Sequence, residues 1–156
     1  MFNFFKNKKR KEILSPLSGE CVPLEKVPDE AFSQKMIGDG VAIIPSSGHL
    51  VSPVDGTIIQ VFDTKHAYTL KSDDGVEILI HIGIDTVKLN GEGFDCKVAN
   101  GQHLKKGDLI SEIDFKFISD KKLSTFTPII FTNMDNFKME FNFGTVESGK
   151  TPISYY

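Results

Sequence analysis

The sequence contains no tryptophan and only two cysteines, and these scarcities limit what the chain can be. Cys21 and Cys96 lie far apart without metal-ligand spacing, so we expect free cytosolic thiols. Phenylalanine, which occurs thirteen times, must supply most of the bulky core. A formal net charge of −3 argues against general nucleic-acid binding.

Long apolar runs and strong helical signals are also missing. No run is long enough to span a bilayer, and no apolar signal core precedes a cleavage site. Residues 28–36 predict one or two helical turns, residues 120–123 a second short helix, and residues 133–137 a turn. The rest of this 156-residue chain reads as short strands separated by glycine and proline, which predicts a single all-β sandwich domain.

One short motif occurs twice in the chain. Residues 14–19, LSPLSG, are echoed 37 positions later by residues 51–56, VSPVDG. Each copy precedes a β-rich run, residues 20–24 and 57–62, which indicates an internal duplication. A third turn and strand are predicted over residues 101–115.

Two β-rich runs, residues 65–71 and 76–84, flank the turn signal Ser72-Asp73-Asp74-Gly75. A two-residue loop at the centre of this turn places His66 directly opposite His81, with Cβ atoms about 5 Å apart. A three-residue loop with the glycine in a bulge shifts the pairing by one and puts the histidines on opposite faces. Two adjacent imidazoles can share a phosphoryl group or a metal ion.

The residues after His81 favour a functional site. Gly83 allows a close backbone approach, and Asp85 adds an acid four positions on. No GxxxxGK[ST] loop is present, so ATP is not the expected phosphoryl donor.

Four motifs together resemble a known family: Gly38-Asp39-Gly40, Ser52-Pro53-Val54-Asp55-Gly56-Thr57, Thr64-Lys65-His66 and His81-Ile82-Gly83-Ile84-Asp85-Thr86-Val87. The chain is similar to the glucose-type IIA component of the bacterial phosphoenolpyruvate-dependent sugar phosphotransferase system, over residues 13–153. The resemblance implies a flattened antiparallel β-sandwich of the duplicated hybrid motif type, with a single phosphocarrier domain at residues 13–156. It also implies the register that places His66 beside His81.

The resemblance further implies a phosphoryl carrier. His81 would accept the phosphoryl group from a phosphohistidine of the general carrier protein and pass it to a cysteine of the permease IIB domain. His66 would stabilise the bound phosphoryl group, and Thr64 would orient His66. No cofactor is expected, and regulatory binding of other proteins is a further expectation. Since the chain carries no permease region, it is expected to work in trans.

A docking surface is implied around these residues. Asp29 and Asp85 match acids on its rim, which attract arginines of partners. Lys88 stands where an acid is usual in the family. The apolar part of the docking patch matches six residues, for each of which core packing is the alternative: Phe32, Met36, Ile37, Phe62, Leu79 and Val87.

Three other classes of protein remain as alternatives. A zinc hydrolase of the same sandwich type needs three protein ligands, but the sequence has neither His-x-His nor HExxH. A lipoyl- or biotin-type carrier is suggested by residues 104–108, although the context expected around its modifiable lysine is absent. A purely regulatory binding module is the third. Within the phosphocarrier hypothesis, His66 and His81 are also candidate zinc ligands at a partner interface.

Residues 1–12 differ from the rest in composition. They combine Phe2, Phe4 and Phe5 with five basic residues, and we predict a flexible tail. The tail is either merely solvated or a weak contact with an anionic membrane, since each basic residue near such a surface contributes about 1 kcal/mol. The second alternative places this cytoplasmic protein at the inner face of the membrane.

Overall fold

The computed structural model describes residues 10–156, apart from the side chain at position 136, and within them the chain forms an all-β sandwich. All strand pairings are antiparallel. The predicted fold class is therefore confirmed. The fourteen strands in these residues are β1 (Glu12–Leu14), β2 (Gly19–Pro23), β3 (Asp39–Pro45), β4 (His49–Val51), β5 (Gly56–Val61), β6 (Ala67–Ser72), β7 (Glu77–His81), β8 (Phe94–Cys96), β9 (His103–Leu104), β10 (Leu109–Ile113), β11 (Thr127–Phe131), β12 (Glu140–Phe141), β13 (Gly144–Val146) and β14 (Pro152–Tyr155).

These strands form one large sheet and two small ones. The large sheet has eight strands in the order β13-β2-β3-β11-β7-β6-β5-β9. The small sheets have the orders β4-β10-β8 and β1-β14-β12. The candidate histidines belong to the β6–β7 hairpin, which lies inside the large sheet and is flanked by β5 and β11.

The large sheet carries apolar residues on both faces. Along β3 and β11, neighbouring residues alternate between two buried clusters: Val41 and Ile129 belong to the main core, whereas Ala42 and Ile130 belong to a second, smaller cluster. Successive side chains of a strand point to opposite faces, so the two clusters lie on opposite sides of the sheet. The second cluster is completed by residues of the segment before β3 and by Ile84.

The repeated motif has the same local structure in both copies. The buried hydroxyls of Ser15 and Ser52 each donate to the carbonyl two residues on, at 2.6 and 2.7 Å. The copies also bond to each other, since the Leu14 amide donates to the Pro53 carbonyl and the Val51 amide to that of Pro16. Each copy joins a three-residue strand to a strand of the large sheet, β1 to β2 and β4 to β5. This correspondence agrees with the predicted duplication.

Helices are few and short in the described part of the chain. Helix α1 (Glu30–Ser33) falls within the predicted turns at 28–36, and a 3₁₀ turn at Met134–Asn136 falls within the predicted turn at 133–137. Helix α2 (Phe115–Asp120) precedes residues 120–123, so the second predicted helix was placed too late and the strand predicted over 111–115 ends at Ile113. The reason is the N-cap: the Asp114 carboxylate accepts from the Phe117 amide and starts the helix there. No helix within residues 10–156 is long and apolar enough to cross a membrane.

Most of the predicted tail lies outside the described residues. Its last three residues, 10–12, are placed against the C-terminal strand. Lys11 and Tyr156 exchange backbone hydrogen bonds of 2.9 and 3.0 Å, and Glu12 pairs with Tyr155. Residues 11 and 12 therefore pair with the C-terminal residues of the domain, and the boundary at residue 12 stays a prediction.

Candidate functional site

The β6–β7 hairpin has the three-residue loop that the sequence left open as one of two alternatives, and not the register that the resemblance implied. Ala67 pairs with His81, and Ser72 bonds to Val76 across a loop of three residues ending in Gly75. Gly75 has a φ of +97°, which suits glycine and explains why the longer loop forms. The prediction that His66 pairs directly with His81 was wrong, because the pairing is shifted by one residue.

The two imidazoles nevertheless meet. Their ring centroids are 4.9 Å apart and their planes cross at 83°. His66 precedes the first residue of β6 and follows Lys65, whose φ of +59° breaks the extended backbone. The regular alternation of a strand therefore does not fix the direction of the His66 side chain.

His81 is held by the backbone just beyond it. Its Nδ1 lies 2.7 Å from the Gly83 carbonyl oxygen, and because a carbonyl can only accept, Nδ1 carries the proton. The unprotonated Nε2 is thereby left for chemistry. Burial lowers the pKa of His81, an effect opposed by the hydrogen bond to Gly83 and by the carboxylates of Asp29 and Asp85. The neutral, nucleophilic form of the ring is therefore favoured near neutral pH.

His66 is only 6% exposed and has a hydroxyl partner. Its Nδ1 lies 2.6 Å from Thr64 Oγ1. Burial, followed by the proximity of His81, lowers the pKa of His66 to about 4. Both rings are consequently uncharged at neutral pH and can lie together without repulsion.

Asp29 and Asp85 reach His81 from two different elements. The Asp29 carboxylate is the N-cap of α1 and accepts from the Ala31 amide at 2.9 Å. Asp85 has a left-handed backbone, with φ of +62°, and starts the 3₁₀ turn Thr86–Leu89. Both carboxylates raise the pKa of His81, which places their charge near the ring.

The predicted apolar docking patch separates into exposed and packed residues. Met36, Ile37 and Val87 are exposed to 73%, 43% and 48%. Phe32, by contrast, is only 6% exposed and belongs to the second buried cluster. Leu79 packs against the same cluster, and Phe62 lies edge-on to His66 with centroids 5.7 Å apart.

Sequence reasoning missed one contributor to the site. The Ser124 carbonyl accepts from the Ile84 amide at 3.0 Å and lies close behind Gly83. It comes from the loop between α2 and β11, 43 residues after His81 in sequence. Because it acts through its backbone, no side-chain pattern could have revealed it.

The metal-binding capacity of the site is limited to the histidine pair as far as the structure describes it. Among residues 10–156 no group of three histidine, cysteine or acidic side chains is arranged to hold a metal ion. The two histidines contribute at most two nitrogen ligands. Both cysteines are free, and Cys21 is buried, with a pKa raised by burial to about 12.

The known proteins that this chain is similar to are EIIA components or longer proteins that include one. Residues 11–137 match the family described as phosphoenolpyruvate-dependent sugar phosphotransferase system, EIIA 1. The PTS system glucose-specific EIIA component of Buchnera aphidicola subsp. Acyrthosiphon pisum is 48% identical over 153 residues, which cover 97% of this chain and 95% of the relative. The PTS system glucosamine-specific EIICBA component of Bacillus subtilis is 54% identical over 118 residues, which cover 76% of this chain and 19% of that much longer relative.

A solved structure shares the whole fold. It is the glucose permease IIA from Mycoplasma capricolum, with a TM-score of 0.88 and 38% sequence identity. The match covers 94% of this chain and 96% of that one. Similarity in sequence and similarity in structure therefore point to the same kind of protein.

Proposed function

Because the chain belongs to the EIIA 1 family of the phosphoenolpyruvate-dependent sugar phosphotransferase system, we propose that its His81 carries a phosphoryl group between two protein partners. As a glucose-type EIIA component it is a phosphotransfer protein of sugar transport. One observation carries the finer proposal: His81, with Nδ1 bound to the Gly83 carbonyl, offers Nε2 beside the ring of His66.

In the acceptance step, the lone pair of His81 Nε2 attacks the phosphorus of a phosphohistidine on the general carrier protein. The phosphorus–nitrogen bond of the donor breaks, and its electron pair returns to the donor imidazole. The Nδ1 proton stays on His81 and continues to bond with Gly83. The ring is already in the required tautomer, so no proton has to move before attack.

In the donation step, a cysteine thiolate of the permease IIB domain attacks the same phosphorus. The bond to Nε2 breaks, and its electron pair returns to His81. We assign the Thr64 hydroxyl as donor to His66 Nδ1, which leaves a proton on His66 Nε2. That N–H can donate to a phosphoryl oxygen, since phosphoryl transfer depends mainly on positioning and charge stabilisation.

The rim of the site supports docking of protein partners. Asp29 and Asp85 supply negative charge near His81, and the exposed Met36, Ile37 and Val87 supply apolar area. The EIICBA relative supports a IIB domain as one partner, because its name unites IIA and IIB components in one chain. We place this exchange in the cytoplasm, with regulatory proteins as further partners of the same surface.

The experiment supplies phosphoenolpyruvate, its kinase and the general carrier protein, and measures the mass of the chain. The native chain should gain one phosphoryl group, and His81→Ala should gain none while staying folded, because a strand-end ring contributes little to the core. His103→Gln, which removes an exposed histidine on β9, is the matched control and should behave as native. Normal labelling of His81→Ala would refute the assignment, and an unlabelled native chain would favour a regulatory module.

The role of His66 is tested by measuring the two half-reactions separately. His66→Gln keeps an N–H donor near His81, so acceptance should survive while donation to the IIB domain slows. An unchanged donation rate would count against phosphoryl stabilisation. A parallel loss of both rates would mean that His81 has been misplaced.

A zinc site on the histidine pair is a second proposal. Both Nδ1 atoms already have oxygen partners, Thr64 and Gly83, as the second nitrogen of metal-bound histidines usually does. The two Nε2 atoms would bind Zn²⁺ once His66 takes its other tautomer, with Nδ1 donating to the Thr64 hydroxyl, and a partner carboxylate or water would complete the site. Calorimetry with Zn²⁺ should show heat for the native chain that His66→Ala loses, and identical titrations would exclude the site.

A further inference from the structure

Phe32 touches the ring of His81 from a buried position. Their ring centroids are 5.0 Å apart, and the planes are tilted by 56°. Phe32 was expected to contact partners, yet it is only 6% exposed, whereas Met36 on the same segment is 73% exposed. A buried ring offers little area to a docking protein but can restrain the ring that it touches.

We propose that Phe32 is a positioning residue for His81, whose ring it holds in the rotamer that joins Nδ1 to Gly83 and leaves Nε2 for the phosphoryl group. The inference rests on the proposed phosphoryl role of His81. Three contacts then fix the imidazole: the Gly83 carbonyl at 2.7 Å, the His66 ring at 4.9 Å and the Phe32 ring at 5.0 Å.

The Phe32 ring is anchored in the second buried cluster. That cluster includes Ala42 of β3, Ile130 of β11 and Ile84, which lies three residues after His81. Phe32 is thus packed against the segment that carries the reactive ring and against the strands beside it. To swing away, the side chain would have to leave a close-packed site, which is costly.

Both ends of α1 are capped by hydrogen bonds, which keep this four-residue helix in place. Asp29 caps the first turn through the Ala31 amide. At the other end the Lys35 amide bonds to the Phe32 carbonyl, and the Met36 amide bonds to that of Ala31, with Lys35 left-handed at φ +60°. This pair of bonds is a Schellman motif. Such a short helix depends on its caps and its packing, so these contacts set the position of Phe32.

Restraint of the His81 ring should affect the rate of phosphoryl transfer more than it affects the affinity for the partner protein. If His81 rotates, Nε2 leaves the line of attack, and misplacement by about 1 Å can cost about 100-fold in rate. Replacing Phe32 leaves the chemical identity of the charged and titratable groups that face His81 unchanged, namely Asp29, Asp85 and His66. A change in the acceptance step would therefore report on the position of the ring.

The experiment compares three variants of the full chain in acceptance of the phosphoryl group from the general carrier protein. Phe32→Leu keeps an apolar side chain and should lower kcat by about tenfold with KM changed by less than about twofold. Met36→Ala removes exposed apolar area and should raise KM with little change in kcat. Val27→Ala loosens the second cluster without removing the ring that contacts His81, and it should lower kcat by much less than Phe32→Leu does. Phe32→Met, which is close in volume, repeats the first test should Phe32→Leu fold poorly.

Nitrogen-15 spectra of the imidazoles at fixed pH give an independent readout. The native His81 should be almost wholly the Nδ1–H tautomer, and Phe32→Leu should show a mixture with Nε2–H. Unchanged tautomers with a raised KM would make Phe32 a docking contact and overturn the inference. Equal effects of Val27→Ala would overturn it too, because general packing would then be the cause. Should the native chain accept no phosphoryl group, the proposed function fails, while the spectra still decide whether Phe32 restrains His81.

Discussion

His66 and His81 are both histidines, but a different group lies at the Nδ1 atom of each ring. A carbonyl can only accept, so Gly83 fixes the His81 tautomer without help from any other residue. The Thr64 hydroxyl can donate or accept, so the tautomer of His66 can respond to what lies on its other nitrogen. This difference suits a fixed nucleophile beside an adaptable hydrogen-bond donor.

The buried rings make the stability of the fold depend on pH. The pKa of His66 is lowered to about 4 and that of His81 is lowered too, against an ordinary value of about 6.5. Between these values the unfolded chain binds more protons than the folded chain. The stabilisation is therefore complete above about pH 6.5 and is lost as the pH falls towards 4.

We expect His66→Gln to remove part of this dependence. Native stability should fall from pH 7 to pH 5 by about 1–2 kcal/mol more than that of the variant, because the unfolded chain takes up a proton that the buried His66 excludes. Urea unfolding at the two pH values measures the difference. His103→Gln, which removes an exposed histidine, is the control. Parallel losses in the native chain and His66→Gln would contradict the prediction.

At the scale of single elements, Asp29 has two separable functions. Its side chain caps α1, and its charge lies near His81. Asp29→Asn keeps the cap and should leave stability unchanged, while Asp29→Ala should cost about 1 kcal/mol. Both should raise KM for the general carrier by about two- to fivefold at low salt, since a rim ion pair contributes about 0.2–1 kcal/mol.

The control for Asp29 is Asp114, which caps α2 in the same way. Asp114→Ala should show the loss of stability without the rise in KM. Unfolding curves and the acceptance assay measure the two effects. A stability loss in Asp29→Asn equal to that in Asp29→Ala would mean that the carboxylate charge, rather than the cap, stabilises α1.

The turn after β7 has no room for a side chain at Gly83. A Cβ there would lie 2.6 Å from Thr86 Cγ2 and 2.9 Å from the Ser124 carbonyl oxygen, and φ is +71°. Gly83→Ala should lose about 2 kcal/mol or more of stability, with about half from the left-handed backbone. It should also slow acceptance at His81, because the displaced carbonyl would no longer hold Nδ1.

Gly107 provides the matched control for Gly83. It has a φ of +89°, but a Cβ at this position would meet nothing within 4 Å, so Gly107→Ala carries the backbone strain without the collision. Unfolding curves of the two alanine variants separate the effects. Equal losses of stability would show that Thr86 and Ser124 move aside from the added Cβ at little cost in free energy.

The β6–β7 hairpin shows how far the sequence could predict this site. The two strands, the turn and the choice of His66 and His81 as candidate site residues all follow from residue types and motifs. The register does not, because Asp73-Asp74-Gly75 suits loops of two or of three residues. The meeting of the rings depends on Lys65, a left-handed residue whose side chain gives no sign of that backbone.

Across the described part of the molecule, the histidines lie at one end of the β6–β7 hairpin, and Lys11 contacts its other end. His66 and His81 are at the open end, and the six residues of β6 span about 20 Å to the turn. At that turn Asp74 accepts from Lys11 at 2.6 Å and from the Tyr156 hydroxyl at 2.7 Å. Arg10 pairs with Glu140 at 2.9 Å. The predicted basic tail therefore joins the domain far from the site.

This arrangement separates any membrane contact of the tail from phosphoryl acceptance. Arg10 and Lys11 have carboxylate partners in Glu140 and Asp74. The membrane test therefore addresses Lys6, Lys8 and Lys9, since a basic residue near an anionic surface contributes about 1 kcal/mol. A variant lacking residues 1–9 keeps the pairing of β1 and should accept phosphoryl groups from the soluble carrier within about twofold of the native rate. Its transfer to a membrane-embedded permease should slow, because the local concentration at the bilayer falls.

Sedimentation with anionic vesicles at low salt should recover the full chain in preference to the variant lacking residues 1–9. A full-length chain in which glutamine replaces Lys6, Lys8 and Lys9 is the length-matched control. Equal recovery of all three proteins would leave the tail without a membrane role.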